Sequence, residues 1–238
     1  MIWAFERISW MTPPPRTGDR HIPERDEAPL LAAAPVVGPA TGPAVEPAGT
    51  GLDFPARSLV LVAGLPGAGK STLLERLYGL RGDEQAPVPD GEVRVIDSRQ
   101  ARNWWARRLG PLPPRARIPF VYTTHVWRIA RTLTAGHAVV AHTRGTWPHL
   151  LYGFAWLARR TGAGLHLVLI DVPPGTARAG QVARGRVLTT TTFARHCRRW
   201  DRLMAKARRG AVPPAATVTV LDRAAADRLT EIRFGRAR

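Results

Sequence analysis

Lysine is nearly missing from this 238-residue chain: of its 35 basic residues, all but Lys70 and Lys206 are arginine. Against that drift a lysine at position 70 is informative, because a compact ammonium on a flexible stem fits where a planar guanidinium does not. Cysteine is missing but for Cys197, which excludes an internal disulfide and a multi-cysteine zinc site and fits a reducing compartment. No apolar run approaches the roughly 20 residues that span a bilayer. The stretch from Leu30 to Ala34 lies between acidic and proline-rich flanks, unlike a secretory signal. The expectation is a soluble, cytoplasmic protein with no membrane partner. Acid is missing too: no Asp or Glu stands between Asp97 and Asp171, while Arg99, Arg102, Arg107, Arg108, Arg115, Arg117, Arg128, Arg131, Arg144, Arg159 and Arg160 fall in that interval.

The chain has 45% hydrophobic residues, enough for the core of one α/β domain with a tail. The formal charge of +17 draws phosphates, nucleic acid or anionic surfaces without choosing among them. It is unevenly divided. Residues 1 to 56 hold 4 Lys/Arg against 7 Asp/Glu, leaving 31 against 11 for the rest. That first segment mixes Pro, Ala, Gly and charges without a helix or strand period, and is expected to be a disordered tail.

Residues 57 to 238 read as one domain of alternating strand and helix, the signature of a three-layer α/β fold. Five short apolar runs suit a buried, five-stranded parallel sheet: 58–63, 92–97, 138–142, 165–171 and 217–221. Helical stretches are expected at 70–79, 99–109, 123–135, 148–161, 174–184, 191–209 and 223–232. Right-handed crossovers would place them on both faces.

After the first run comes Gly64-Leu65-Pro66-Gly67-Ala68-Gly69-Lys70-Ser71-Thr72, the pattern G-x-x-x-x-G-K-[ST]. Glycines let the backbone curl so that its N–H groups point at phosphate oxygens. Lys70 reaches the β and γ phosphates, Ser71 places a hydroxyl on Mg²⁺, and the helix that follows turns its positive end toward the same charge. Gly64, Pro66, Gly67, Ala68, Gly69, Lys70, Ser71 and Thr72 are the candidate cofactor-binding residues, with ATP and Mg²⁺ as cofactors. The apolar strand "SLVLVAG" before the loop and the helix "STLLERLYG" after it supply the required context.

The second run ends in Asp97-Ser98. In doubly wound sheets ligands sit beyond the carboxyl ends of strands, so Asp97 is expected to face the phosphate loop. There it would take a proton from an acceptor hydroxyl or hold Mg²⁺ through water. Its alternative is a helix N-cap, with Ser98 as a further candidate for that place. The third run ends in His142-Thr143-Arg144 where many P-loop proteins carry an acid, and a substrate-side position for His142 and Arg144 is one reading. Asp171 reads as structural, ahead of Pro173-Pro174. Arg178, Gln181, Arg184 and Arg186 fall on a helix end and a Gly-containing connection, a lid near 178–192 that would close over ATP; the alternative is a solvated basic face. Trp104, Trp105, Trp127, Trp147 and Trp156 interleave with arginine and could stack bases. Helical spacing instead expects Trp156 to pack inward. His125, His137, His149, His166 and His196 show no metal-ligand spacing and read as structural.

Together, "GLPGAGKST", "VRVIDS", "VLIDVPPGTARAGQVARGR" and the final "VTVLD" resemble the P-loop kinases of small molecules and nucleic-acid ends: polynucleotide kinase, the zeta-toxin type and the AAA-type ATP-binding kinases. The resemblance spans about residues 58 to 232. It implies a P-loop NTPase fold and phosphoryl transfer from ATP–Mg²⁺ to a hydroxyl. Asp97 then matches the usual base or substrate ligand, and Lys70, Asp97 and Arg184 are the candidate catalytic residues, with Arg178 and Arg186 on the cofactor and Ser71 on the metal. Gln100 and His142 stand where the pattern commonly has Arg and Asp. The expected function is a kinase whose acceptor the sequence does not name. The alternatives are a nucleotide-dependent regulatory module and a nucleic-acid-binding ATPase, the latter resting on the domain's charge and its Trp/Arg interleaving.

Overall fold

The computed structural model describes residues 50–113, 116–142, 148–185, 187–210 and 212–235. Arg115, Arg144, Trp147 and Arg186, the side chain of His149, and most of the expected tail lie outside what it describes.

Six strands form the main sheet. They are β2 (Ser58–Gly64), β3 (Val88–Asp90), β4 (Val93–Ile96), β5 (Ala138–His142), β6 (Gly164–Ile170) and β7 (Thr217–Leu221), in the spatial order β3-β4-β5-β2-β6-β7. The five expected strands are all present and pair in parallel. A short antiparallel edge strand, β3, adds a sixth that the sequence does not announce, because Pro89 and Asp90 are poor strand formers. The chain leaves β2 for β4 on one side and places β6 on the other. A crevice therefore opens beyond the carboxyl end of β2.

Every residue of β2 is buried, and Leu59, Val60, Leu61 and Val62 lose all contact with solvent. Together with Val139, Val140, Leu167, Val168 and Leu169 they make a continuous apolar layer. Each such side chain contributes about 1.5–3 kcal/mol of transfer free energy, which is why the central strands need no alternation of polar residues.

The helices are α1 (Lys70–Tyr78), α2 (Ser98–Arg108), α3 (Ile118–Thr134), α4 (Pro148–Arg160), α5 (Pro174–Val182), α6 (Thr190–Arg208) and α7 (Arg223–Arg228). Helix α3 starts five residues before its expected position, with Pro119 in its first turn. On α4, Leu151, Phe154, Ala155 and Ala158 fill the inward face, so Trp156 points outward and is 57% exposed. The inward expectation for Trp156 is corrected: the row facing the sheet was already occupied.

Two further corrections concern the domain's ends. Residues 51 to 54, expected in the tail, form β1 (Gly51–Phe54), which pairs in parallel with β8 (Glu231–Phe234). The helix expected over 223–232 stops at Arg228, because the Thr230 amide donates to Thr50 O at 2.7 Å and draws the chain into that ribbon. Helix propensity in "RAAADRLTEI" is overridden by a partner far away in sequence. Phe54 then lies against His166 and Phe234, with ring centroids 5.1 and 6.1 Å away.

Candidate active site

Where β2 ends, the chain turns through Gly67 and Gly69 at φ values of 92° and 91°, a region that costs other residues strain. The space is as demanding as the dihedral. A Cβ on Gly67 would sit 2.0 Å from Ala177 O. Gly69 also takes the N-cap position of α1 with no side-chain cap, so the first amides of that helix have no capping side chain to bind and suit an anion. Lys70, 5% exposed, curls back over the loop and donates to Gly64 O at 2.8 Å and Leu65 O at 2.7 Å. Ser71 follows it, also buried.

Helix α5 supports the loop from the side. Ala177, Gly180 and Gln181 face it, and a Cβ on Gly180 would lie 2.4 Å from Gly67 O. Gln181 is buried and makes two connections at once. Its Nε2 donates to Pro66 O at 2.9 Å, and its Oε1 accepts from the Leu188 amide at 3.0 Å. The phosphate loop and the segment leading into α6 are thereby tied through one side chain. Arg184, further along the same row, reaches the cleft and donates to the Thr72 hydroxyl. Arg178 is a correction. One residue off that row, it does not line the cleft but donates to Leu188 O at 2.9 Å and lies over the Phe193 ring.

Asp97, at the carboxyl end of β4, is 4% exposed and faces the same cleft. It is itself the N-cap of α2, its Oδ1 accepting from the Arg99 amide at 2.7 Å; Ser98 is the first residue of the helix. His142, closing β5, brings Nδ1 to 3.3 Å from the same oxygen. Burial alone would push the Asp97 pKa up. The His142 hydrogen bond and charge, the Arg99 amide and the Arg99 guanidinium together outweigh it and hold the carboxyl well below the usual range. Behind this pair sits His125 on α3, whose pKa is pushed down to about 4 by burial first and by the charge of His142 next.

The cleft encloses about 270 Å³ and is lined by the phosphate loop, Asp97, His142, Gly180, Gln181 and Arg184. Ser98, Arg99, Arg102, Leu188, Thr192 and His196 also line it. Sequence reasoning left His196 structural and did not weigh Thr192. Their signal would have been the 3.6-residue row that they share on α6, visible only once that helix is known to pass over the loop. Asp171 lies away from the cleft, accepting from Trp200 Nε1 at 3.1 Å and Arg208 at 3.2 Å.

These residues fit a nucleoside triphosphate with Mg²⁺. The loop has room for no side chain at Gly67, its helix carries no side-chain cap at the N-terminus, and an ammonium and a hydroxyl stand at its first two helical positions. Among the described residues no group of three or more His, Cys, Asp or Glu could hold a metal by itself, which accords with an ion carried in with phosphate.

Strand order, loop and cleft define a P-loop NTPase of kinase-like fold. The family model described as an AAA domain matches residues 59–210, and the chain belongs to that family. Among solved structures the chain is similar to one from the PezAT chromosomal toxin-antitoxin system of Streptococcus pneumoniae, at 14% identity over 80% of each chain with a TM-score of 0.46. It is similar to a gluconokinase from Sinorhizobium meliloti 1021, at 16% identity over 74% of this chain and 95% of that one, with a TM-score of 0.39. A tunicamycin resistance protein from Deinococcus radiodurans is similar at 11% identity, over 70% of this chain and 86% of that one, with a TM-score of 0.44. Likeness at these values carries nothing about substrate. No curated protein matches the chain. Among the described residues no helix is long and apolar enough to cross a membrane.

Proposed function

We propose that the protein is an ATP-dependent phosphotransferase that moves the γ-phosphoryl group to a hydroxyl of an anionic acceptor. The observation that carries this reading is the placement of Lys70 and the Asp97–His142 pair on one cleft. Bound ATP–Mg²⁺ supplies an electrophilic γ-phosphorus and the metal's charge. The chain supplies the rest. Lys70 and the loop amides hold the phosphates, Ser71 offers its hydroxyl to the metal, and Arg184 stands at the side where charge collects during transfer.

Asp97, oriented by His142, receives the proton of the acceptor hydroxyl as the hydroxyl oxygen bonds to phosphorus and the bond to the ADP oxygen breaks. Asp97 is the oxygen base of the pair, and His142, 3.3 Å from its Oδ1, orients it. Arg99, paired with Glu75 at 2.7 Å, and Arg102 stand on the acceptor side, and among the described residues Asp97 is the one acid that lines the cleft. That balance favours an acceptor bearing phosphate or carboxylate. Incubation with γ-labelled ATP and a panel of nucleotides, sugar phosphates, oligonucleotide 5′ ends and neutral sugars tests it, with label expected on an anionic acceptor. ATP binding without transfer to any acceptor would favour a regulatory module instead.

A further inference from the structure

The outer faces of α3 and α4 carry exposed aromatic and basic side chains that do not line the cleft described above. Both helices contact the sheet and each other, and each runs into the amino end of a strand, α3 into β5 and α4 into β6. They therefore descend side by side in the same direction. Their outward rows hold Phe120, Trp127 and Arg131 on α3, and Tyr152, Trp156 and Arg160 on α4, at helical spacing. Trp127 is 55% exposed and Trp156 57% exposed, unusual for a side chain of that size.

Each tryptophan is followed four residues later by an arginine, and in both pairs the guanidinium lies 5.3 Å from the ring centroid. On α2, which packs against α3, Arg108 repeats the arrangement over Trp104 at 3.7 Å. Neither α3 nor α4 contains an Asp or Glu. Trp127 stands about 14 Å along α3 and Trp156 about 12 Å along α4, counted from the ends nearest the cleft at 1.5 Å per residue. The surface is thus separate from the phosphate loop.

The geometry points to single-stranded nucleic acid as the occupant: bases stack on the exposed rings while the arginines take the phosphates. The face favours an anionic partner, since both helices carry arginine and neither carries an acid. A lipid surface fits less well. A helix that lies in a membrane segregates aliphatic residues on one side and basic ones on the other. Here aromatic and guanidinium groups share a single row, and Thr123 and Gly153 lie exposed beside them, with Ile118 the exposed aliphatic residue of α3.

The test is fluorescence anisotropy of the full chain with a labelled short oligothymidylate, titrated across salt concentrations with and without a non-hydrolysable ATP analogue. Binding is expected to be unchanged by the analogue. Replacing both rings, as Trp127→Ala with Trp156→Ala, should weaken binding at least about tenfold. The Phe versions at the same positions should restore most of it. Arg131→Gln with Arg160→Gln should lower the slope of log K against log salt by about 1.4. Because all four side chains are solvent-facing, circular dichroism should superpose for every variant. Three outcomes would overturn the assignment: heparin competing equally while the Ala variants bind as tightly as the parent, which marks a purely ionic association; binding to phosphatidylglycerol vesicles but not to the oligonucleotide; or release of the oligonucleotide by the ATP analogue, which would place it in the cleft. Since the readout is binding in the absence of transfer, its failure leaves the phosphotransferase reading standing, and the converse holds.

Discussion

The two ends of the central sheet bury polar side chains for opposite purposes. At the carboxyl end Lys70, Ser71, Asp97, Gln181 and His142 are buried around a cleft, and each lines it. At the amino end His166 is buried under the Phe54 ring, with Nδ1 2.8 Å from the Thr217 hydroxyl, and is not among the residues that line that cleft. Burial has pushed its pKa down to about 4. Equal burial therefore does not mark function. What separates the ends is whether the buried groups converge on open volume, and changes at one end should move activity by more than any change in stability, while changes at the other should move stability alone.

The largest effect should come from Lys70→Ala, with ATP binding and transfer falling at least about 100-fold, the usual cost of losing a preorganised phosphate donor. Isothermal titration with an ATP analogue checks it, and a shift in Tm no larger than the loss of two hydrogen bonds brings is expected beside it. A collapse of Tm would erase the distinction drawn between the two ends. Asp97→Asn should lower kcat by about 100-fold while leaving KM for ATP nearly constant, the pattern of a group that acts on the acceptor. Since the folded Asp97 pKa lies below its unfolded value, its contribution to stability is complete above about pH 5 and is lost as pH falls through the lower folded value. Urea melts of parent and variant should converge toward strong acid.

At the amino end the sign reverses in cause though not in direction. His166 is neutral when folded and titrates near 4, whereas the unfolded residue titrates near 6.5. Between those values only the unfolded chain gains a proton, so stability is full above about pH 6.5 and declines as pH falls. His166→Gln should flatten the decline by about 1.4 kcal/mol per pH unit over that window, with transfer activity intact at pH 7.5. His125 titrates in the same window from behind the cleft, so a slope should remain. The smallest effect is expected for Gln181→Ala. Losing its bonds to Pro66 and Leu188 should cost about 1 kcal/mol in urea melts and raise KM for ATP a few-fold. A drop in kcat at constant KM would instead place Gln181 among the reacting groups.

The phosphate loop could be read from the chain because its chemistry is local: glycines, Lys70 and Ser71 lie within nine residues, and the strand and helix around them are strongly patterned. Asp97 could be placed because strand ends converge by topology. His142 could be located but not paired, since its bond to Asp97 depends on β4 and β5 being neighbours, 45 residues apart in sequence. Arg178 and Arg184 looked alike in a basic run, and one position around α5 sends them to different sides. Trp156 failed for a related reason. Periodicity identified a helix with an apolar row but not that the row ran through Phe154 and Ala158 and left the indole outside. The ribbon of β1 and β8 was invisible, as each strand has four residues and finds its partner about 180 positions away.

That ribbon has a mechanical consequence. Because its strands are parallel, the chain enters at Gly51 and leaves at Phe234 from opposite ends of the pair. Tension applied through the flanking segments would therefore slide one strand along the other and load its hydrogen bonds together, whereas an antiparallel closure would peel them apart one at a time. A puller such as an unfolding protease, gripping either terminus, would meet the domain at a shear clamp, and the force needed to breach it should drop sharply if Pro replaced Ile232.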